Sequence, residues 1–195
     1  MNNQSWILWV DGVGGYLLCL GETVTLGQAF AEPAADVALL ADVSRHHATV
    51  RRDGEGYWLE SERSIALNQI PAKRSLLKTG DRITLGDSCQ LLFHHPEPLS
   101  ATARLTPISG HRFAHPVDAA LLMAETLTLG PASQAHIVVP DLTRRVVIHR
   151  QGEGLAIKTT GSVKVGGRTH DDRADLAPGS SATVEELTFT LEAIP

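Results

Sequence analysis

The chain has 195 residues, 43% of them apolar, so it can bury the core of one large domain or of two domains of ordinary size. Its formal net charge of −5 argues against a nucleic-acid partner, because surfaces that bind nucleic acids are normally basic. No apolar run reaches the roughly 18 residues of a membrane span, so we expect no membrane partner.

Short strands separated by turn residues are predicted along the first hundred residues. Aromatic and β-branched residues are concentrated in five runs, at 6–10, 16–20, 48–51, 57–59 and 90–93. Glycine and aspartate cluster at 11–15 and 52–56, as in hairpin connections. Many short strands spaced this closely are typical of a β-sandwich, so the sequence predicts an all-β fold.

The second half of the sequence repeats the first. Residues 18–27 read LCLGETVTLG and residues 121–130 read LLMAETLTLG, and the DVSR of 42–45 corresponds to the DLTR of 141–144. A repeat this long indicates duplicated domains rather than a solenoid. Because the prolines at 96 and 98 interrupt any strand there, we predict two domains, residues 1–97 and residues 98–195, called here the first half and the second half.

The order of motifs in the first half resembles that of a known family. A strand-like segment ends at Leu26-Gly27, the run SRHHA follows at 44–48, and GDRITLG follows at 80–86. This order resembles the forkhead-associated (FHA) family, whose members are β-sandwiches that bind phosphothreonine peptides through loops at one end. The resemblance therefore implies two FHA-like antiparallel β-sandwiches in tandem, of which the second is strongly degenerate.

The resemblance also implies a phosphopeptide site in the first half. Hydroxyl and guanidinium donors hold a phosphate dianion best, and Ser44 and Arg45 supply them. Loop capping is the alternative for Ser44, and an exposed loop cation is the alternative for Arg45. Gly27 and His47 match family positions that support the fold, where the histidine braces the loop and is not a ligand. Gln28 stands where the family usually has an arginine, so we expect weaker phosphate recognition.

Two further positions are implied less directly. Arg63-Ser64 replaces the Asn-Gly with which the family grips the ligand backbone, and Arg63 could restore some of the charge missing at residue 28. Asn68 resembles a second Asn-Gly and is a candidate contact, with a turn-forming role as the alternative. In the second half Pro131 replaces the arginine and residues 143–146 replace the SRxH motif, so we expect no phosphate site there.

The resemblance therefore predicts a non-catalytic protein-interaction module, similar to FHA domains that bind phosphothreonine peptides, in which phosphate recognition is weakened or lost. The alternative is a structural scaffold or a homo-oligomer built from ligand-dead sandwiches, and the sequence leaves the oligomeric state open. Cys19 and Cys89 are too few for a zinc site, and the adjacent histidine pairs 46–47 and 94–95 would point to opposite faces of a strand, so we expect no metal and no cofactor. Free thiols and the absence of a basic n-region at 1–4 favour a cytoplasmic location.

Overall fold

The computed structural model describes residues 5–152 and 154–194; the segment 1–4 and Glu153 of the second glycine turn lie outside the described residues. Within them no helix is long and apolar enough to cross a membrane. The regular elements of the described residues are all strands, as predicted: β1 Ser5–Val10, β2 Gly14–Cys19, β3 Thr23–Gln28, β4 Val37–Leu40, β5 Ala48–Asp53, β6 Gly56–Leu67, β7 Ile70–Leu76, β8 Arg82–Leu85, β9 Cys89–His94, β10 Ala103–Pro107, β11 Arg112–Phe113, β12 Ala119–Leu122, β13 Thr126–Gly130, β14 Ile137–Val138, β15 Val146–Gln151, β16 Gly154–Thr159, β17 Val163–Val165, β18 Arg168–His170, β19 Arg173–Leu176, β20 Ser181–Val184 and β21 Leu187–Ala193.

The strands form two sheets. The larger sheet has 16 strands and contains elements of both halves, in the order β11-β4-β3-β5-β6-β8-β9-β10-β12-β2-β1-β21-β20-β17-β18, with β7 beside β6. The smaller sheet has five strands, all from the second half, in the order β14-β13-β15-β16-β19. The all-β fold class predicted from the sequence is therefore confirmed.

The strand pairing crosses the predicted domain boundary. The hairpin β1–β2 of the first half pairs through β1 with β21, the last strand of the second half, with Trp6 opposite Ala193. The equivalent strand β10 of the second half pairs with β9, the last strand of the first, with Arg104 opposite His94. The parallel pair β2–β12 then joins the two halves. The expectation that each half closes its own sandwich is thus corrected, while the boundary at 97/98 itself stays a prediction.

The exchanged strands separate two hydrophobic cores. Because successive side chains of a strand point to opposite faces, β2 places Leu18 in the core of the second half and Leu17 in the core of the first. Strand β12 divides its side chains in the same way, with Leu121 in the second core and Leu122 in the first. Each core is therefore completed by residues from the other half.

The joint between the halves is held by hydrogen bonds. The Tyr57 hydroxyl donates to the carbonyl oxygen of Ala101 at 2.6 Å, and the Thr102 hydroxyl donates to that of Thr126 at 2.6 Å. An ion pair at 3.3 Å joins Glu97 to Arg145 across the boundary. The joint therefore packs against both halves, so we expect it to resist proteolysis.

Candidate functional site

The loop that carries Ser44 lies over the end of β3. The Gln28 amide donates to the Ser44 carbonyl oxygen at 3.0 Å, and the His47 amide donates to that of Leu26 at 2.8 Å. A Cβ atom on Gly27 would overlap the carbonyl oxygen of Arg45. Residue 27 must therefore lack a side chain for the loop to approach the strand this closely.

Both ring nitrogens of His47 are used inside the protein. The side chain is buried, with 5% of its surface exposed. Its Nδ1 accepts from the Ser44 amide at 3.1 Å, so the neutral ring carries its proton on Nε2, which lies 2.8 Å from the Ser64 carbonyl oxygen and donates to it. The histidine thereby links the Ser44 loop to β6, and it has no nitrogen left for a ligand.

A second set of bonds places Arg63 beside the same loop. The Ser61 hydroxyl donates to the carbonyl oxygen of His47, and the Arg63 amide donates to the Ser61 hydroxyl at 2.9 Å. The segment 61–64 coincides with a register shift between β6 and β7, which lets the chain bend towards the loop. The structure therefore brings Gln28, Ser44, Arg45 and Arg63 to one end of the first half.

The polar groups gathered there face solvent. Gln28, Arg45 and Arg63 are exposed, and Ser44 is half-buried. Within the described residues, neither the Arg45 guanidinium nor the Arg63 guanidinium makes a hydrogen bond or an ion pair. Both cations are consequently available to an anionic ligand, for which a guanidinium offers two parallel donors.

Asn68 lies outside this site. Its Nδ2 donates to Asp81 at 2.8 Å, and its Oδ1 accepts from the Arg82 amide at 3.0 Å. The residue is four positions beyond Ser64 along β6, which is roughly 13 Å at the usual rise of a strand. Positive φ values of 51° at Asn68 and 70° at Gln69 are those of a type I′ hairpin turn. In the structure Asn68 therefore forms a turn, which was the alternative to a contact with the ligand.

Phe30 is an exposed aromatic residue that no pattern in the sequence singles out. It follows β3 two residues after Gln28, is 91% exposed and has a φ of 64°, which is uncommon for an aromatic residue. The surrounding loop of alanine, glutamate and proline has no strand periodicity, so no pattern in the sequence marks the residue. It adds an exposed apolar surface just after the end of β3.

The second half has no equivalent of His47, but the loop amide that His47 would accept from is still hydrogen-bonded. Val146 lies opposite Leu129 as Ala48 lies opposite Leu26. The segment 143–146 is therefore one residue shorter than the segment 44–48, and Arg145 takes the chain position of His47. The Thr143 amide, equivalent to that of Ser44, donates to the Glu185 carboxylate at 3.0 Å. Glu185 therefore accepts the bond that His47 accepts in the first half.

The Glu185 carboxylate also occupies the other polar groups of this loop. The Thr143 hydroxyl donates to it at 2.6 Å and the Arg144 Nε at 2.8 Å. These donors, the Thr143 hydroxyl first, lower the pKa of Glu185 below its usual value. The carboxylate is thus charged at neutral pH, and an internal anion already holds the residues equivalent to Ser44 and Arg45.

Replacing Glu185 with alanine is expected to release the second loop. The Thr143 amide should lose its protection from hydrogen exchange, because its acceptor is gone. Glu185→Gly should melt at a higher temperature than Glu185→Ala, since residue 185 has a φ of 55°, which glycine adopts without strain. Hydrogen exchange read by NMR checks the first expectation, and an unchanged Thr143 amide would show that Glu185 does not brace the loop.

The remaining polar candidates show no sign of a site. Cys19 and Cys89 are free and buried, and burial raises the pKa of both thiols. Among the described residues, no group of three or more histidine, cysteine, aspartate or glutamate side chains is placed to hold a metal ion.

Comparison with known proteins shows a similarity to a known family in part of the chain. Residues 24–86 match the family model of the FHA domain. The matched region contains Gly27, Gln28, Ser44, Arg45 and Arg63, and it ends before the second half begins. No curated protein matches the chain. FHA domains are non-enzymatic modules that bind phosphothreonine-containing proteins, so residues 24–86 are similar to a phosphopeptide-binding module.

Proposed function

We propose that this protein is a non-catalytic interaction module that binds a phosphothreonine-containing segment of a partner protein at the loop end of its first half. The observation that carries the proposal is that Arg45 and Arg63 are exposed, have no partner for their guanidinium groups among the described residues, and lie on segments bonded around the Ser44 loop. A surface that keeps two cations together without an internal carboxylate is suited to an anion supplied by a ligand. The match of residues 24–86 to the FHA domain supports phosphothreonine as that anion.

Two structural features shape the expected binding, and a third bears on the location of the protein. Gln28 contributes an uncharged donor where the family has a guanidinium, so the affinity for phosphate should be low. Phe30 offers an apolar contact for a neighbouring side chain of the peptide. The buried free thiols support a reducing location, which we propose to be the cytoplasm.

A phosphothreonine peptide library, titrated against the full chain by fluorescence anisotropy, tests this function. We expect phosphorylated peptides to bind better than their unphosphorylated twins. Ser44→Ala and Arg45→Ala should each weaken binding by about tenfold or more, because each removes a hydrogen bond to a charged group. Ser133→Ala, an exposed serine in the second half, serves as the control. Equal affinity for both members of every peptide pair would contradict the proposal.

A scaffold role is the second candidate, and two observations favour it. Glu185 fills the polar loop of the second half, and the exchanged strands give the two halves common cores. Both features stabilise the molecule without any ligand. A scaffold would bind its partner equally well after Ser44→Ala, which distinguishes the two candidates in a pull-down of the same partner.

Gln28→Arg is expected to strengthen binding of the phosphorylated peptide. The new guanidinium adds a charged, two-donor contact that should contribute about 1–2 kcal/mol. The gain should shrink at high salt, since the position is exposed. Gln134→Arg, which adds the same charge to an exposed loop of the second half, is the matched control. An unchanged affinity would indicate that the Arg63-Ser64 replacement has disabled the site, and would favour the scaffold.

A further inference from the structure

A segment of the second half is built into the sheet edge of the first. The connection between β10 and β12 crosses the boundary, and its short strand β11 pairs with β4, with Phe113 opposite Leu39. The Ala114 amide donates to the Ala38 carbonyl oxygen at 2.8 Å, and the Phe113 side chain is buried in the core of the first half. The position of β11 is therefore fixed by both hydrogen bonds and packing.

This pairing brings Arg112 next to the Ser44 loop. Arg112 lies opposite Leu40, the last residue of β4, and the loop that carries Ser44 begins at the following residue. Strand β4 in turn pairs with β3, with Leu39 opposite Gln28. Two strand spacings separate β11 from β3, a distance of roughly 10 Å, which a long arginine side chain and a phosphate can span together.

Arg112 also faces the correct side of the sheet. Phe113 points into the core, so its neighbour Arg112 points away from it. Gly27 also lies on the outer face, because its neighbour Leu26 points into the core. The backbone of Arg45 packs over Gly27 on this outer face. Arg112 is exposed and, in the part of the chain that the structure describes, makes no side-chain hydrogen bond or ion pair.

We propose that Arg112 is a phosphate-binding residue that the second half contributes to the site of the first half. Its guanidinium joins those of Arg45 and Arg63 and adds positive charge to a site in which Gln28 is uncharged. A phosphate group has three acceptor oxygens and a charge close to −2, so it accommodates donors from several elements. The inference rests on the proposed function, and it gives the second half a role in binding although its own loop is held by Glu185.

A competing role for Arg112 is protection of the sheet edge. Strand β11 is the last strand of the 16-stranded sheet, and charged residues on edge strands hinder pairing with other chains. Lysine protects an edge as well as arginine does, but it lacks the two-donor fork that binds phosphate oxygens in parallel. Comparing Arg112→Ala with Arg112→Lys therefore separates the two roles.

The test uses the full chain and its best phosphothreonine peptide, together with the unphosphorylated twin, in fluorescence anisotropy titrations. We expect Arg112→Ala to weaken binding of the phosphorylated peptide by about tenfold and to leave the twin unaffected. Arg112→Lys should bind less tightly than the wild type but better than Arg112→Ala. Arg168→Ala is the matched control, because Arg168 is an exposed arginine on β18, the opposite edge of the same sheet.

The possible outcomes separate this inference from the proposed function. If Ser44→Ala abolishes binding while Arg112→Ala binds like Arg168→Ala, the site exists and Arg112 is not part of it. If Arg112→Ala weakens both peptides equally, the residue does not contact the phosphate, and the inference is again overturned. If no phosphothreonine peptide binds the wild type, both the inference and the proposed function fail.

Discussion

Replacing Leu18 with alanine is expected to lower the free energy of unfolding by about 3 kcal/mol, the usual cost of removing a fully buried leucine side chain. The substitution should disturb the packing of the core of the second half, although Leu18 belongs to the first half in sequence. Leu18 has none of its surface exposed and packs in the cluster that contains Ile157 and Leu191. Denaturant unfolding measures the loss, and methyl chemical shifts show which core is disturbed.

The neighbouring Leu17 provides the matched control. Its side chain is 1% exposed and lies in the other core, with Val24 and Leu91. Leu17→Ala should cost a similar free energy but shift the methyl signals of the first-half core. If Leu18→Ala instead disturbed Val24 and Leu91, the strand exchange between the halves would be wrong.

Acidification is expected to lower the free energy of unfolding by about 3 kcal/mol, because His136 becomes protonated. The side chain has no exposed surface, and its Nδ1 accepts from the Thr128 amide at 3.1 Å. Burial, with a smaller contribution from the Arg104 cation, lowers the pKa of His136 to about 4 from an ordinary 6.5. Between these values the unfolded chain binds the proton and the folded chain does not. Stability due to this group is therefore complete above pH 6.5 and is lost as the pH falls towards 4.

The first half suggests a variant that tests the His136 prediction. Asp36 and Thr25 form the same arrangement there, with the Thr25 amide donating to the carboxylate at 2.7 Å. His136→Asn keeps an acceptor of similar geometry for the Thr128 amide but does not titrate. Unfolding free energies measured between pH 4 and pH 7 should fall less steeply for this variant than for the wild type. Parallel curves would show that His136 does not carry the acid sensitivity.

The roles of the candidate site residues stay predictions, but the structure shows which of these residues lie together. Gln28, Ser44, Arg45 and Arg63 lie at one end of the first half because the loop that begins after β4 is bonded to β3 and β6. Asn68 was grouped with them because Asn68-Gln69 resembles the second Asn-Gly of the family, whereas it follows the end of β6, away from the Ser44 loop. Arg112 could not be found from the family pattern, because 49 or more positions separate it from Gln28, Ser44, Arg45 and Arg63.

The sequence by itself determined the all-β fold, the positions of the main strands and the repeat. These features depend on local alternation and on turn residues, which act over a few positions. Only the tertiary structure decided which strands pair. Strands β2 and β12 carry buried apolar residues on both faces, so their local pattern suits either core equally well. Where two copies of a sequence can exchange strands, the choice depends on the connections and on the packing of the whole chain, which no local pattern encodes.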